Sequence, residues 1–132
     1  MERVILDTNV LIEAERTGRL DQSLDFDDVA IAAVSLAELH EGVLGARRRG
    51  DNATAERREA FVERVAIRVQ VLPYSRETAA EHGALLDYVR ATGKPRGIHD
   101  LLIAAHARET GRAIVSADRK ARFNDLPGVR LR

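Results

Sequence analysis

Val4-Ile5-Leu6-Asp7-Thr8-Asn9-Val10-Leu11-Ile12 is the stretch on which the reading of this chain turns. Three consecutive aliphatic residues at 4–6 have the unbroken apolar character of a strand buried on both faces, as in the middle of a parallel sheet. Three polar residues follow, and the pattern resumes at 10–16 as an amphipathic helix stopped by Thr17-Gly18. Asp7 therefore stands at the carboxyl end of a central strand, where open α/β sheets bind their ligands. For one isolated carboxylate the plain alternative is that Asp7 or Asn9 merely caps the helix.

Outward from that start, strands and helices alternate. Residues 29–31 read as a second strand. A helix over 34–44 follows, with Leu36, Leu39, Val43 and Leu44 at helical spacing and Gly45 as its stop. Residues 47–51 form a basic connection, and Asn52 or Thr54 opens a charged helix with Ala55, Phe61, Val62 and Val65 on one side. Residues 69–72 give a third strand ended by Pro73. Ser75 caps a helix to about residue 90, with Ala79, His82, Leu85, Leu86 and Val89 inward. A loop at 92–97 leads into a helix over 98–110 that is apolar enough to be largely buried. Residues 113–115 form another buried strand, a short basic helix runs to Phe123, and residues 129–131 make a final edge strand. The alternation implies an α/β chain, a three-layer α/β/α sandwich around a central, mainly parallel sheet, in one domain over 1–132.

The composition contains no cysteine, so disulfide and thiolate chemistry are excluded and a reducing compartment suits the chain. No apolar run reaches membrane-spanning length, and a strand begins almost at once, so the expectation is a cytoplasmic protein without a signal peptide. Lys+Arg and Asp+Glu both number 21, which gives no bulk electrostatic case for nucleic acid. Their distribution is less even. Nineteen of the basic residues are arginine, clustered at Arg47-Arg48-Arg49, Arg57-Arg58 and Arg119-Lys120-Arg122. Arginine suits bidentate phosphate contact, and an acidic crevice with basic flanks would cancel in the total.

Four carboxylates fall at one end of this arrangement. Asp7 and Asp118 follow two parallel strands at similar offsets, Glu38 lies early in the helix after the second strand, and Asp100 lies in the first turn of the buried helix. Each has an ordinary explanation. Ser35-Leu36-Ala37-Glu38 spells a capping box, Asp100 complements a helix dipole, and Asp118 caps the helix beginning at Arg119. Together they raise an electrostatic problem, since two unit charges about 5 Å apart repel by roughly 3 kcal/mol at an effective dielectric near 20. A hard divalent cation resolves it, and an all-oxygen donor set selects Mg²⁺ or Mn²⁺ over Zn²⁺. Such ions bind phosphate and activate water for phosphodiester hydrolysis.

These residues resemble a known family. Val-Ile-Leu-Asp7-Thr8-Asn9, the run from Ile31 through Glu38-Leu39 with Gly42 beyond, Asp100-Leu101-Leu102-Ile103-Ala104-Ala105-His106-Ala107, and Ser116-Ala117-Asp118 with Phe123 behind are similar to the PIN-domain ribonucleases, specifically the VapC-type toxins of toxin–antitoxin pairs. The likeness runs end to end. It implies an endoribonuclease that leaves a 5′-phosphate and a 3′-hydroxyl, and Asp7, Glu38, Asp100 and Asp118 as the catalytic, metal-binding set. Thr8, Asn9 and Ser116 become polar support; the family more often has threonine at the last position. Asp118 is the least strictly kept of the four. The resemblance also implies an RNA substrate, a small VapB-type antitoxin and a homodimer; because an acidic crevice attracts cations, the simplest inhibitor would insert an Arg or Lys that pairs with the acidic set.

Lys94 and Arg96, in the loop before Asp100, are candidates for RNA contact. His99 as a general base is unnecessary where a metal activates the water, and His40, His82 and His106 read as packing or surface residues. Glu41, one turn from Glu38, faces solvent or meets the site through water. The alternatives are a housekeeping RNA-processing nuclease of the same fold and a PIN-like module that binds RNA or protein without cutting. An aspartyl-phosphate phosphatase built on Asp7 is the third, disfavoured because a second Asp is wanted where Asn9 stands.

Overall fold

The computed structural model describes residues 1–132, with the side chain of Arg119, named above in a basic cluster, outside the described set. Four strands, β1 (Arg3–Leu6), β2 (Asp28–Ala32), β3 (Gln70–Leu72) and β4 (Ala113–Val115), form an all-parallel sheet in the order β3-β2-β1-β4. Register is set by Leu6 opposite both Ile31 and Val115, and by Ala32 opposite Leu72. The chain adds strands in one direction from β1 to β3 and then returns to place β4 on the other side of β1. That reversal creates a switch point between β1 and β4, the crevice position where such sheets bind ligands.

Alternation along β1 assigns the layers. Val4 and Leu6 face one cluster with Leu11, Leu39, Val43, Phe61 and Val65, and Ile5 faces the other with Leu85, Ile103, Ala104, Ile114 and Phe123. The first cluster is covered by α1 (Thr8–Thr17), a single turn α2 (Leu20–Ser23) and the hairpin of α3 (Ala33–Arg48) with α4 (Asn52–Arg68). The second is covered by α5 (Arg76–Thr92) and α6 (Ile98–Thr110). The expected three layers are present. In α6 the small residues Ala104 and Ala105 are fully buried, which lets the helix lie close on the sheet. Ser75 caps α5 with Thr78 as reciprocal partner, and Gly18, Gly93 and Gly111, all at positive φ, end α1, α5 and α6.

Several local expectations are corrected. Gly45 does not stop α3; it lies inside the helix, which continues because Ala46 is buried against the layer below, and the chain turns only at Gly50, φ +79°. Gly42 and Gly45 each cost the helix about 1 kcal/mol relative to alanine. Leu44 is 58% exposed and belongs to no core. The cap of α4 is Asp51, whose side chain accepts from the Thr54 amide at 3.2 Å. The inner face of α5 is Thr78, Leu85, Tyr88 and Val89, whereas Ala79 and Leu86 are exposed. The short basic helix is two 3-10 turns, Arg119–Ala121 and Phe123–Asp125. Residues 129–131 form no strand. After the turn at Pro127-Gly128 only Leu131 bridges to Ile114, through Ile114 N to Arg130 O at 2.8 Å and Arg132 N to Ile114 O at 2.9 Å. No helix among the described residues is long and apolar enough to cross a membrane.

The amino edge of the sheet is tied by one side chain. Arg112, 3% exposed, donates through Nη1 to Val4 O at 3.1 Å, Asp28 O at 3.2 Å and Asp28 Oδ1 at 2.8 Å, and through Nη2 to Gln70 Oε1 at 3.3 Å. It thus links β1, β2 and β3. Arg3 Nε reaches the other oxygen of Asp28 at 3.2 Å. The hydrogen bonds from Arg112 and Arg3 hold the Asp28 carboxyl below the ordinary aspartate range.

Candidate active site

At the opposite edge, the strand ends feed side chains into the switch-point crevice. β1 passes directly into α1, so Asp7 occupies the N-cap position with extended backbone (φ −67°, ψ 151°), yet its side chain makes no capping bond. Instead Ser116, just past β4, donates from Oγ to Asp7 Oδ2 at 2.8 Å. The capping explanation for Asp7 therefore fails, and the 3% exposure of the residue makes it a buried acid. The Ser116 hydroxyl oxygen also accepts from the Asp118 amide at 3.0 Å, which bends the chain after β4.

β2 passes directly into α3, and this places Ser35 and Glu38 in the first turns beside Thr8. Thr8 Oγ1 lies 2.8 Å from Ser35 Oγ and 2.9 Å from Glu38 Oε1. Ser35 is fully buried inside the helix and α3 has no side-chain cap, so the capping-box spelling was not a cap. Its residues serve to anchor Thr8 and through it Glu38. His99 Nδ1 lies 3.2 Å from the same Glu38 oxygen. Asp118 does act as a cap, its Oδ1 accepting from the Lys120 amide at 2.9 Å, while Oδ2 lies 3.5 Å from Asn9 Nδ2. Asp100 is delivered by the first turn of α6. Gly97 is held against it, since a Cβ there would meet Asp100 Oδ2 at 3.0 Å.

The four carboxylates share one electrostatic environment. Burial pushes Asp7 above the ordinary aspartate range, against the hydrogen bonds from Ser116 and the Thr8 amide, and the charges of Asp118 and Glu38 push the same way. Burial likewise raises Asp100, reinforced by Asp7, Asp118 and Glu38 and only partly opposed by His99. A carboxylate in the first turn of a helix is ordinarily stabilised by the dipole; here desolvation and like charge outweigh it. The crevice is thus an acidic site short of positive charge. Among the described residues no three acidic or histidine side chains close around a single point, so the set is open rather than a cage.

Of the other expected residues, Lys94 is exposed, whereas the Arg96 side chain is only 2% exposed, with Nη1 on Lys94 O at 3.1 Å and Nη2 3.9 Å from Asp125. It does not present its charge to solvent. His99, unneeded as a base, lies beside Glu38, a place that only its adjacency to Asp100 signals in the sequence. Nothing in the sequence pattern pointed to Ser35 as a support.

Residues 4–128 match the PIN domain family. Ribonuclease VapC5 of Mycobacterium tuberculosis is 35% identical over 86% of this chain and 82% of its own length. The tRNA(fMet)-specific endonuclease VapC of Salmonella typhimurium is 29% identical over 99% of this chain and 97% of its own. Among solved structures, VapBC-5 from Mycobacterium tuberculosis, a member of the VapBC family of toxin-antitoxin systems, superposes with a TM-score of 0.80 at 30% identity, covering 99% of this chain and 98% of that one. The chain belongs to the PIN-domain family, among the VapC-type ribonucleases.

Proposed function

We propose that this chain is a metal-dependent endoribonuclease that serves as the toxin of a toxin–antitoxin pair and is restrained by a small VapB-type antitoxin. The reading is supported by Asp7 and Asp100, both held above the ordinary range by burial and pushed further by the charges of Glu38 and Asp118, in a chain whose relatives are named ribonucleases. PIN-domain ribonucleases generally use a divalent metal. The residues fit a hard cation: the acidic donors are all oxygen and their charge is uncompensated. An open set suits Mg²⁺ or Mn²⁺, because Mg²⁺ keeps several waters and takes only one or two carboxylates along with substrate phosphate. When bound, such an ion supplies charge to the phosphodiester and an activated water.

The chain's own residues divide the remaining work. Asp7 and Asp100, the two acids raised by burial, would hold the ion, with Glu38 and Asp118 completing the set. Ser116 fixes the Asp7 carboxylate through a donated hydrogen bond, and Thr8 and His99 both lie against one oxygen of Glu38. Asn9 steadies Asp118. Lys94, exposed in the loop before α6, is better placed than Arg96 to meet an RNA phosphate. A homodimer belongs to the same reading, and a monomer mass by light scattering across the micromolar range would remove it.

The test is cleavage of RNA by the purified protein. We expect activity with Mg²⁺ or Mn²⁺ and none in excess EDTA or in Asp7→Asn. Undiminished cleavage in EDTA would overturn the metal assignment. In cells, expression of the chain alone should halt growth and co-expression with its antitoxin should restore it; a harmless wild-type protein would leave a housekeeping nuclease in place of the toxin.

A further inference from the structure

A site made of carboxylates repels the polyanion it is to cut, so affinity for RNA has to come from cations beside the crevice. The α3–α4 hairpin carries seven arginines, of which Arg68 pairs with Asp21 and Arg64 lies over the Phe61 ring; the other five fall into two groups. Arg47 is paired with Glu59, and Arg57 Nε lies 3.2 Å from Glu15. Arg48, Arg49 and Arg58 have no carboxylate within ion-pair distance among the described residues. These three line a groove of about 390 Å³ together with Ile12, Gly42, Gly45 and two carboxylates, Glu38 and Glu41.

The groove is built into the helix. Glu38, Gly42, Gly45 and Arg49 follow at intervals of four, three and four residues, one stripe of α3 about 16 Å long at 1.5 Å per residue. Both glycines serve the arginines. Arg58 Nη1 donates to Gly42 O at 3.0 Å, and a Cβ at Gly45 would meet Arg49 Nη1 at 3.3 Å and Arg48 Nη2 at 3.9 Å. The guanidinium groups therefore lie against bare helix backbone at the groove wall.

We infer that this groove holds the sugar–phosphate backbone of the RNA strand on its way from the scissile bond, with phosphates on Arg48, Arg49 and Arg58. The inference rests on the nuclease reading above and specifies where that substrate runs. The competing occupant is an acidic protein segment, because an apolar bay of about 160 Å³ that includes Leu39 and Phe61 adjoins the groove and shares Arg58. Continuity with Glu38 and the exposure of Arg48 and Arg49 favour RNA.

The experiment measures binding of a labelled single-stranded RNA by anisotropy across a NaCl series, in the Asp7→Asn background so that nothing is cut. Each phosphate contact on a single strand contributes about 0.7 to the slope of log affinity against log salt. The triple variant Arg48→Gln, Arg49→Gln, Arg58→Gln should lower that slope by about 2 and weaken binding at least roughly tenfold at 0.1 M salt. The double variant of the two exposed residues, Arg48 and Arg49, should lower it by about 1.4, which keeps the test decisive if loss of Arg58 perturbs the fold. Arg47→Gln, outside the groove, serves as the control and should alter the slope little. An unchanged slope in the folded double variant overturns the inference, and so does a variant that binds RNA normally but loses a poly-glutamate peptide that the wild type holds. Failure of the wild type to cut RNA would instead strike the nuclease reading, leaving the slope result to stand on its own.

Discussion

Asp28 at the amino edge of the sheet lies between Arg3 and Arg112, whereas Asp7 at the carboxyl edge has one hydroxyl and one backbone amide for partners and feels the charges of other acids. The same residue type is held below its ordinary range at one end of the sheet and above it at the other. The difference teaches how the molecule separates stability from chemistry. Charge at the amino edge is paired within the chain and ties three strands together. Charge at the carboxyl edge is left uncompensated and so remains available to a cation from outside.

The largest expected effect tests that division at the carboxyl edge. Asp7→Asn should reduce RNA cleavage by on the order of 10³-fold or more while raising the metal-free protein's stability by about 1 kcal/mol, because an unfavourable buried charge is removed. Cleavage assays and thermal melts read the two outcomes; full activity, or a lowered melting temperature, breaks the comparison. Next comes the amino edge. Arg112→Gln leaves Asp28 and the ends of β1–β3 without their clamp and should cost about 3 kcal/mol in urea unfolding, with cleavage per folded molecule retained. A change in cleavage larger than that in stability would mean that the edges are not separate.

A pH series sharpens the contrast. Asp7 and Asp100 have raised folded-state values, so the unfolded chain ionises first as pH climbs, and their protonated forms favour the fold. Metal-free stability should therefore fall as pH rises from the ordinary aspartate range through the raised values. Asp28 acts in the opposite sense: its contribution is present above the ordinary range and is lost as pH falls through its lowered value. The Asp7→Asn, Asp100→Asn double variant should flatten the first trend and leave the second. The smallest effect is that of Ser116→Ala, which removes the 2.8 Å bond to Asp7. About 1 kcal/mol, or roughly a fivefold loss of cleavage, is expected.

What could be read from the sequence follows from how local each signal is. Residues 4–6 and the helix Ile98–Thr110 were legible because an unbroken apolar run and its glycine stop at Gly111 are properties of the segment itself. That Asp7 and Asp118 share one edge was legible because the ends of parallel strands fall together whatever the details of packing. Gly45 misled because whether a glycine ends a helix depends on the neighbour; the buried Ala46 carries α3 onward. Ser35 misled for a related reason, since its hydroxyl serves Thr8, 27 positions away, rather than the next turn of its own helix. Arg96 was expected outward as a loop cation and is folded inward toward Asp125. Arg112 carried no signal at all, because its partners on β1, β2 and β3 are brought together only by the finished sheet.

The pairing of β4 with β1 has a consequence for when the protein becomes active. The first strand made waits for the last strand in the sheet, and Ser116 and Asp118 arrive only with it. A nascent chain still on the ribosome thus displays Asp7 and Glu38 without the hydroxyl that orients Asp7 or the carboxylate that closes the crevice. For an enzyme that cuts RNA, that order of synthesis would act as a delay fuse: with Ser116 and Asp118 in the roles proposed above, the chain stays inert until β4 has left the ribosome.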